Sequence, residues 1–253
     1  MIKKRIAWAA ASLTIGVVFV LLWGYVADTR MISPVILPGP GRVWNSIVSG
    51  LSYGELSSQF VGTVERMLYG WLLASLVGIA VGSTIGISAT ARAYLSPMLE
   101  FLRPLPASAI IPVAIALLGL SDQMVLAVIA FGALWPMLLS TIHGFESVDP
   151  CLYEVGQLLR MSKLTFAWKI ALPNAMPDIL SGMRLGLTIA LVLAVVGEML
   201  ASRDGLGQWI LLSARSFRSA DLWAGVVLLG LIGYLSAIAL SAVESHVLRW
   251  RHN

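Results

Sequence analysis

Long apolar runs bounded by charges constrain this chain more than any other feature. A membrane-crossing helix needs about 20 mostly apolar residues, and candidate spans fall at about 7–26, 68–88, 105–121, 124–142, 179–200 and 222–243. With 58% hydrophobic and only 12% charged residues, the chain is too apolar for a water-soluble domain. We therefore predict an all-α, polytopic membrane protein with about six spans, forming a single domain over residues 1–253.

The amino terminus allows two interpretations. Lys3, Lys4 and Arg5 precede an apolar stretch that reaches about Val26, as in a signal peptide or in a first span. The stretch is longer than the usual apolar region of a signal peptide, and no clear small-x-small cleavage site precedes Asp28. We predict a retained first span.

The distribution of basic residues predicts the orientation, because lysine and arginine favour cytoplasmic loops. With the amino terminus inside, the cytoplasmic segments hold most of them, with Arg184 just inside the fifth span: Lys3, Lys4, Arg5, Arg92, Arg103, Arg160, Lys163, Lys169, Arg249 and Arg251. The outer segments hold Arg30, Arg42, Arg66, Arg203, Arg215 and Arg218. We predict that both termini are cytoplasmic. These charges, net +4, are scattered singly, which argues against nucleic-acid binding.

Prolines and glycines mark two of the spans. Pro104, Pro106 and Pro112 interrupt the third span, and we expect the break to lie beside a cavity, where neighbours satisfy the freed carbonyls. Small residues recur at every fourth position of the second span: Gly70, Ala74, Gly78, Gly82 and Gly86. This spacing predicts a close helix interface; it is typical both of a transport path and of general membrane packing.

Two further segments lie between the first and second spans. Residues 33–40 are rich in proline and predict an extended loop. Apolar residues then recur at helical spacing over 44–51 and 56–68. We predict amphipathic helices there that lie at the outer surface or lead into the second span.

The loop at 149–177, after the fourth span, carries the strongest functional signal. Asp149 as N-cap and Pro150 at the first helical position predict a helix start. A turn near 160–162 and a second short helix through Ile170 follow, and we expect the two prolines at 173 and 177 to end that helix. Such a loop docks on another protein or rests on the lipid surface, which Trp168 and the lysines also suit.

The sequence lacks the residue patterns of redox, metal-binding and nucleotide-binding sites. Cys151 is the single cysteine and has no CxxC or histidine cluster beside it. The three histidines, His143, His246 and His252, have no carboxylates at ligand spacing, so we predict no metal. The sequence contains no phosphate-binding Gly-x-x-x-x-Gly-Lys-Ser/Thr loop. We expect no cofactor on this chain and no enzymatic activity of its own.

The 149–177 loop resembles the cytoplasmic signature of permeases from ATP-binding-cassette importers. That signature begins with Glu-Ala-Ala, has a glycine six residues after the Glu and ends in aliphatic-x-Leu-Pro. This chain has Glu154, then Val155-Gly156, Arg160 at the glycine position, and Ile170-Ala-Leu172-Pro173. If the glycine position needs a left-handed backbone, arginine there costs about 1 kcal/mol, and the turn shifts or the first helix lengthens. The resemblance implies that Glu154, Gly156, Leu158, Leu159, Arg160, Leu172 and Pro173 couple the chain to its ATPase.

Further segments resemble the sulfonate, taurine and nitrate branch of these permeases. They are Ser33 to Pro40, Thr63-Val-Glu-Arg66 with Gly70, Glu100-Phe-Leu-Arg103-Pro-Leu-Pro106 with Ile111-Pro112, and Gly197-Glu198-Met199 with Gly205-Leu-Gly207. The resemblance covers nearly the whole chain. It implies a type I importer permease fold with a cytoplasmic coupling helix, in a multi-pass protein of the bacterial inner membrane.

The resemblance also implies partners. They are a second copy of this chain, two ATP-binding-cassette ATPase subunits that hold ATP and Mg, a periplasmic substrate-binding protein and membrane lipid. The transported solute would be a small anion such as a sulfonate, taurine or nitrate.

Charged residues and prolines near the spans are candidates for a translocation path or gate: Glu100, Arg103, Pro106, Pro112 and Glu198. Ionisable groups in a bilayer usually face protein or water. The alternative for Glu198 and for Glu100 with Arg103 is an interfacial ion pair or a helix cap.

Two other classes compete with the permease. A secondary transporter driven by an ion gradient would need buried carboxylates in mid-span, and the spans hold almost none. An intramembrane enzyme would need catalytic Ser/His or Asp pairs within spans, which do not appear. The permease is the function we predict.

Overall fold

The computed structural model describes residues 2–52, 54–102 and 105–251, and within these ranges the secondary structure is helical, without strands. The α-helices are α1 Ile2–Asp28, α2 Pro40–Ser52, α3 Glu55–Ile87, α4 Ala89–Leu102, α5 Ile111–Leu118, α6 Asp122–Glu146, α7 Pro150–Leu158, α8 Lys163–Phe166, α9 Leu172–Ala201, α10 Leu206–Arg215 and α11 Ser219–Val247. Short 3₁₀ helices occur at Ala107–Ile110 and Arg249–Arg251, and a π-helical turn occupies Ala167–Ala171.

The glycine stripe of the second span forms a helix interface, as predicted. A Cβ added at Gly70 would stand 2.4 Å from Ile129 Cγ2, and one at Gly82 would stand 2.7 Å from Thr141 Cβ. Such distances leave no room for a side chain, so α3 and α6 touch along their backbones. The contacts advance in step from Gly70 to Gly86, which meets Phe145, and α3 and α6 therefore run parallel.

Helix α9 packs on α6 in the opposite direction. Gly197 near the end of α9 faces Val125 near the start of α6, whereas Gly144 near the end of α6 faces Ala175. The starts of α3 and α6 thus share one end of the bundle with the end of α9. The 149–177 loop lies at the other end, which we call the loop end.

The third predicted span is broken. Within residues 105–121 the chain forms a 3₁₀ turn at Ala107–Ile110 and then only α5, which ends at Leu118. The segment Ala107–Leu118 meets α4 at 81°. Pro106 lies just before the 3₁₀ turn and Pro112 lies in the first turn of α5, where its missing N–H is tolerated. Leu105 and Ala107 line a cavity of about 350 Å³, which agrees with the expected cavity beside the break.

The span count rests on helix length and composition. In the described ranges, four helices are long and apolar enough to cross a membrane: Glu55–Ile87, Asp122–Glu146, Leu164–Ala201 and Ser219–Val247. If α4 and the segment Ala107–Leu118 count together as one span, the total is five. Thr14–Asp28, the second part of α1, is a shorter apolar helix. Six spans therefore remain a prediction. The second span starts earlier than predicted because the amphipathic segment after Gly54 continues into it without a break.

The glycine interface predicts a position-specific response to a single methyl group. Gly82→Ala places a Cβ 2.7 Å from Thr141 Cβ and 2.9 Å from the Leu138 carbonyl oxygen, and this overpacking costs about 1–3 kcal/mol. Gly230→Ala is the control, since nothing lies within 4 Å of its Cβ position and alanine favours a helix. Thermal unfolding of the purified protein in detergent should show a lower Tm for Gly82→Ala only. Equal melting temperatures would contradict this interface.

Candidate coupling loop and the Glu198 network

Helix α7 opens the 149–177 loop as the sequence predicts. The Asp149 carboxylate accepts a hydrogen bond from the backbone N–H of Cys151 at 2.8 Å, and Pro150 occupies the first turn. The carboxylate satisfies one unpaired N–H group of the helix start, and proline, which has no N–H, leaves none unpaired at its position. The helix ends at Leu158.

The turn after α7 lies at Arg160, which takes a left-handed backbone with φ of 51°. The N–H of Met161 donates to the Gly156 carbonyl at 2.9 Å, and the N–H of Arg160 donates to the Gln157 carbonyl at 2.9 Å. This pattern ends many helices and favours glycine at the left-handed position. The shifted turn and the longer first helix expected for an arginine here are therefore both wrong. The turn is retained at about 1 kcal/mol of backbone strain.

Gly156 holds the two short helices of the loop together. A Cβ at this position would stand 2.7 Å from Cδ2 of Phe166, and the Phe166 ring stacks on Tyr153 with centroids 4.6 Å apart. The α7 helix therefore lies directly against Phe166, the last residue of α8. Among the predicted coupling residues, Gly156 is buried inside the loop and serves its packing.

The two prolines do not end the second helix, contrary to the prediction. The N–H of Leu172 donates to the Ala167 carbonyl, five residues back, and the chain continues through Pro173 and Pro177 into α9. A proline ring in a regular helix collides with the carbonyl four residues earlier. The wider π turn at Ala167–Ala171 relieves this conflict for Pro173. The loop is consequently joined to a helix that runs from Leu164 to Ala201.

The remaining coupling candidates divide into exposed and half-buried residues. Leu158 and Leu159 expose 83% and 67% of their surface, and Glu154 and Arg160 are also exposed. Within the described residues, Glu154 has no hydrogen-bond or ion-pair partner. Leu172 and Pro173 are half-buried at the base of the loop. The tip of the loop thus presents two large apolar side chains beside an unpaired carboxylate.

Glu198 lies at the opposite end of the bundle and is fully buried. Its carboxylate accepts hydrogen bonds from Thr63 Oγ1 at 3.0 Å, from the N–H of Gly207 at 3.0 Å and from Arg66 Nη1 at 3.2 Å. Thr63 Oγ1 in turn accepts a bond from the N–H of Leu206 at 2.8 Å. We call these five residues, with Asp122 and Arg203, the Glu198 network.

Arg66 connects Glu198 to the start of α6. Its Nε donates to Asp122 Oδ1 at 3.0 Å, and Asp122 also pairs with Arg203. The hydrogen bond to Asp122 raises the pKa of the Arg203 guanidinium above its usual value. Two arginines and two carboxylates thus alternate across the ends of α3, α6 and α9, an arrangement that neutralises the buried charge of Glu198.

The Gly205-Leu-Gly207 segment is shaped by the same carboxylate. A Cβ at Gly205 would stand 2.2 Å from Cδ of Glu198, and a Cβ at Gly207 would stand 2.4 Å from the Val195 carbonyl oxygen. Both positions therefore exclude every side chain. The sequence motifs around Thr63, Glu198 and Gly205 are parts of one site, although they lie far apart in the sequence and no local pattern connects them.

The structure separates the path candidates. Glu198 is enclosed in its network, which agrees with the ion-pair alternative. Glu100 lines a cavity of about 380 Å³ together with Ser140 and His143. Pro106 and Pro112 flank the 3₁₀ turn, and Arg103 lies outside the described residues. In the described part of the chain, no group of three or more His, Cys, Asp or Glu side chains is placed to hold a metal ion.

The Glu198 network predicts a large loss of stability when its carboxylate is changed. Glu198→Ala leaves the Gly207 N–H without its acceptor and removes one acceptor each from Thr63 and Arg66, although Arg66 keeps Asp122; removing one partner of a buried ion pair costs about 3–5 kcal/mol. Glu65→Ala, on the exposed face of the same end of α3, is the control and should change stability little. Thermal unfolding in detergent measures both. A Glu198→Ala protein with the parental Tm would show that the network is dispensable.

The comparisons with known proteins cover most of the chain. The family described as binding-protein-dependent transport system inner membrane component matches residues 74–251. The taurine transport system permease protein of Escherichia coli is 30% identical over 98% of this chain and 94% of its own length. The nitrate import permease protein of Leptolyngbya laminosa is 28% identical over 79% of this chain and 71% of its own.

A solved structure shares the fold. The chain resembles a chain from the MetNI methionine ABC transporter in an inward-facing conformation, with a TM-score of 0.67 and 17% identity over 76% of this chain and 95% of that one. The described helices, their packing and the family match agree. The chain therefore belongs to the inner-membrane components of binding-protein-dependent transport systems and is an ABC importer permease, a transport subunit rather than an enzyme.

Proposed function

We propose that this permease carries a small oxyanion, of the sulfonate, taurine or nitrate class, which a periplasmic binding protein delivers. The support comes from relatives that are named for taurine and nitrate transport and that match this chain over most of its length. These solutes share a compact anionic group with several acceptor oxygens.

We propose further that two copies of this chain assemble with two ATPase subunits, which hold ATP and Mg. The observation that supports this assembly best is the tip of the 149–177 loop. Leu158 and Leu159 are large, apolar and exposed next to the carboxylate of Glu154, as in an interface anchored by apolar contacts and one charged group. The resemblance of the loop to the coupling signature indicates an ATPase as the partner.

The helix that follows the loop gives this contact a mechanical consequence. The chain is helical without a break from Leu164 to Ala201, and this helix reaches from the loop to Glu198. A displacement of the loop by the ATPase would therefore tilt α9 as a rigid body. Rigid-body motion of packed helices is an established form of alternating access.

We also propose that the loop end faces the cytoplasm and that both termini lie there. The loop carries Arg160, Lys163 and Lys169, as cytoplasmic segments generally do. Among the path candidates, Glu100 would line the route on the cytoplasmic side. Pro106 and Pro112 would allow the bend between α4 and α5, and Glu198 would hold the outer end of α9 while the path opens.

Charge reversal at the loop tip tests the coupling role. Glu154→Lys removes a charge-assisted contact and opposes any basic partner, which costs about 2–4 kcal/mol of interface energy, or about 30- to 1000-fold in affinity. Uptake and ATPase activity in reconstituted vesicles should both fall, while the melting temperature of the permease stays unchanged because Glu154 is exposed.

Three samples complete that experiment. The permease alone should hydrolyse no ATP. Arg160→Gly keeps the left-handed turn with less strain and should retain coupling. Glu65→Lys is the control, because it makes the same charge reversal at the opposite end of the bundle. An intact, fully coupled Glu154→Lys complex would refute the loop as the docking site.

Cysteine labelling tests the orientation. In a Cys151→Ser background, a membrane-impermeant maleimide applied to sealed cells should modify cysteines at positions 45 and 212, both exposed in the structure. A cysteine at position 163 should react only after permeabilisation. Labelling at 163 in sealed cells would reverse the proposed topology.

A further inference from the structure

A groove lies between α3 and the 149–177 loop on the side of the bundle. It has a volume of about 410 Å³, and its walls are the part of α3 from Leu76 to Ile87 and the second helix of the loop. Leu164 and Trp168 of that helix expose 68% and 66% of their surface, and Leu76 exposes 70%. The groove is therefore open to whatever surrounds the bundle.

The lining of the groove is apolar. Apart from the indole of Trp168, the polar side chains among its described lining are the hydroxyls of Ser83 and Thr84. Thr84 already donates to the Val81 carbonyl at 2.7 Å, and none of the described lining residues is charged. Removing such a surface from water is favourable, so the groove suits an apolar occupant.

The length of the groove matches one leaflet of a bilayer. Helix α3 is long and apolar enough to cross a membrane, and it ends at Ile87. From Leu76 to Ile87 it rises about 17 Å. Half of the hydrocarbon core of a bilayer is about 15 Å thick. An acyl chain of the leaflet at the loop end would therefore run along the whole groove.

A cation lies at the loop end of the groove. Nη1 of Arg92, on α4, donates to the carbonyl oxygen of Gly86, the residue next to Ile87. In the described part of the chain, no carboxylate forms an ion pair with Arg92. Because a guanidinium group has five N–H donors, Arg92 has donors left for a further acceptor, and phosphate is one that arginine binds well.

The loop adds two residues that are typical of a membrane surface. Trp168, which lines the groove, is of the residue type that lies at the level of lipid headgroups. Lys169 follows it and is exposed, and cations near the membrane surface attract anionic lipids. The groove thus joins an apolar channel of one leaflet's length to a positively charged end.

We propose that this groove binds an acyl chain of an anionic phospholipid from the leaflet at the loop end, with the headgroup phosphate at Arg92. The bound lipid would contact α3 and the loop at once, because both line the groove. It would hold the second helix of the loop against the membrane-spanning bundle. The site would serve whichever solute the permease carries.

Lipid binding to the purified permease in detergent tests the site. Native mass spectrometry measures the affinity for the first bound lipid, with dioleoylphosphatidylglycerol as the anionic probe and dioleoylphosphatidylcholine as the zwitterionic probe with the same acyl chains. The parent should bind the anionic lipid about fivefold more tightly, the factor that one cation near a membrane surface contributes.

Three arginine variants test the headgroup contact. Arg92→Gln removes the charge and should abolish the preference for the anionic lipid, whereas Arg92→Lys keeps the charge and should retain it. Arg42→Gln makes the same change at an exposed position of α2 and is the control, with the parental preference.

A larger side chain in the groove tests the acyl-chain contact. Ala80 lines the groove, and Ala80→Phe should weaken the binding of both lipids about tenfold, as expected if the ring displaces roughly two methylene groups. Val77→Phe is the matched control, because Val77 is exposed on the same helix but lies outside the described lining. It should bind both lipids as the parent does.

The melting temperature in lipid-free detergent shows whether each variant folds. If Ala80→Phe does not fold, Ser83→Leu fills the same groove with a smaller side chain and takes its place. Equal affinities of the parent for the two lipids, or an unchanged preference in Arg92→Gln, would refute the proposal. Parental lipid binding by the groove-filling variant would also refute it. If that variant instead turned a dimer into a monomer, the groove would be a contact between two copies of the chain.

Discussion

The structure depends on one buried carboxylate. Glu198 loses all contact with solvent, and an unpaired charge at such a position would destabilise the fold by several kcal/mol. Its partners come from two helices: Thr63 and Arg66 on α3 and the N–H of Gly207 at the start of α10. Because Arg66 also pairs with Asp122 at the start of α6, the same charge fixes the relative positions of all the core helices at that end.

Along the length of the bundle, the glycine interface between α3 and α6 holds these helices in position. Hydrocarbon lipid is as apolar as leucine, so burial of apolar side chains gives no drive for helices to associate within it. Close backbone packing replaces that drive, and Gly82 against Thr141 is an example. The interface holds α3 and α6 together, while α9 connects the loop to the Glu198 network. Helix α9 packs on α6 as closely, as Gly197 against Val125 shows, so α3, α6 and α9 form one tightly packed unit.

Patterns of local origin could be predicted from the sequence, and contacts between distant segments could not. Asp149 and Pro150 start α7 as predicted because capping depends on neighbouring residues. Pro173 was expected to end a helix, since the rule for proline assumes a regular α-helix, and a π turn removes that premise. Glu198 remained ambiguous because its partners lie up to 135 positions away in the chain.

The charges that the structure pairs in the Glu198 network lie at one end of the bundle. Arg66, Asp122, Glu198 and Arg203 neutralise one another at one end, so that their field is short-ranged. The loop carries its charges at the other end, in contact with water. Between them, the cavity beside the break between α4 and α5 has no charged residue among its described lining. Ionisable groups are costly inside a bilayer unless they have a partner or contact with water, and the two ends of the bundle provide one or the other.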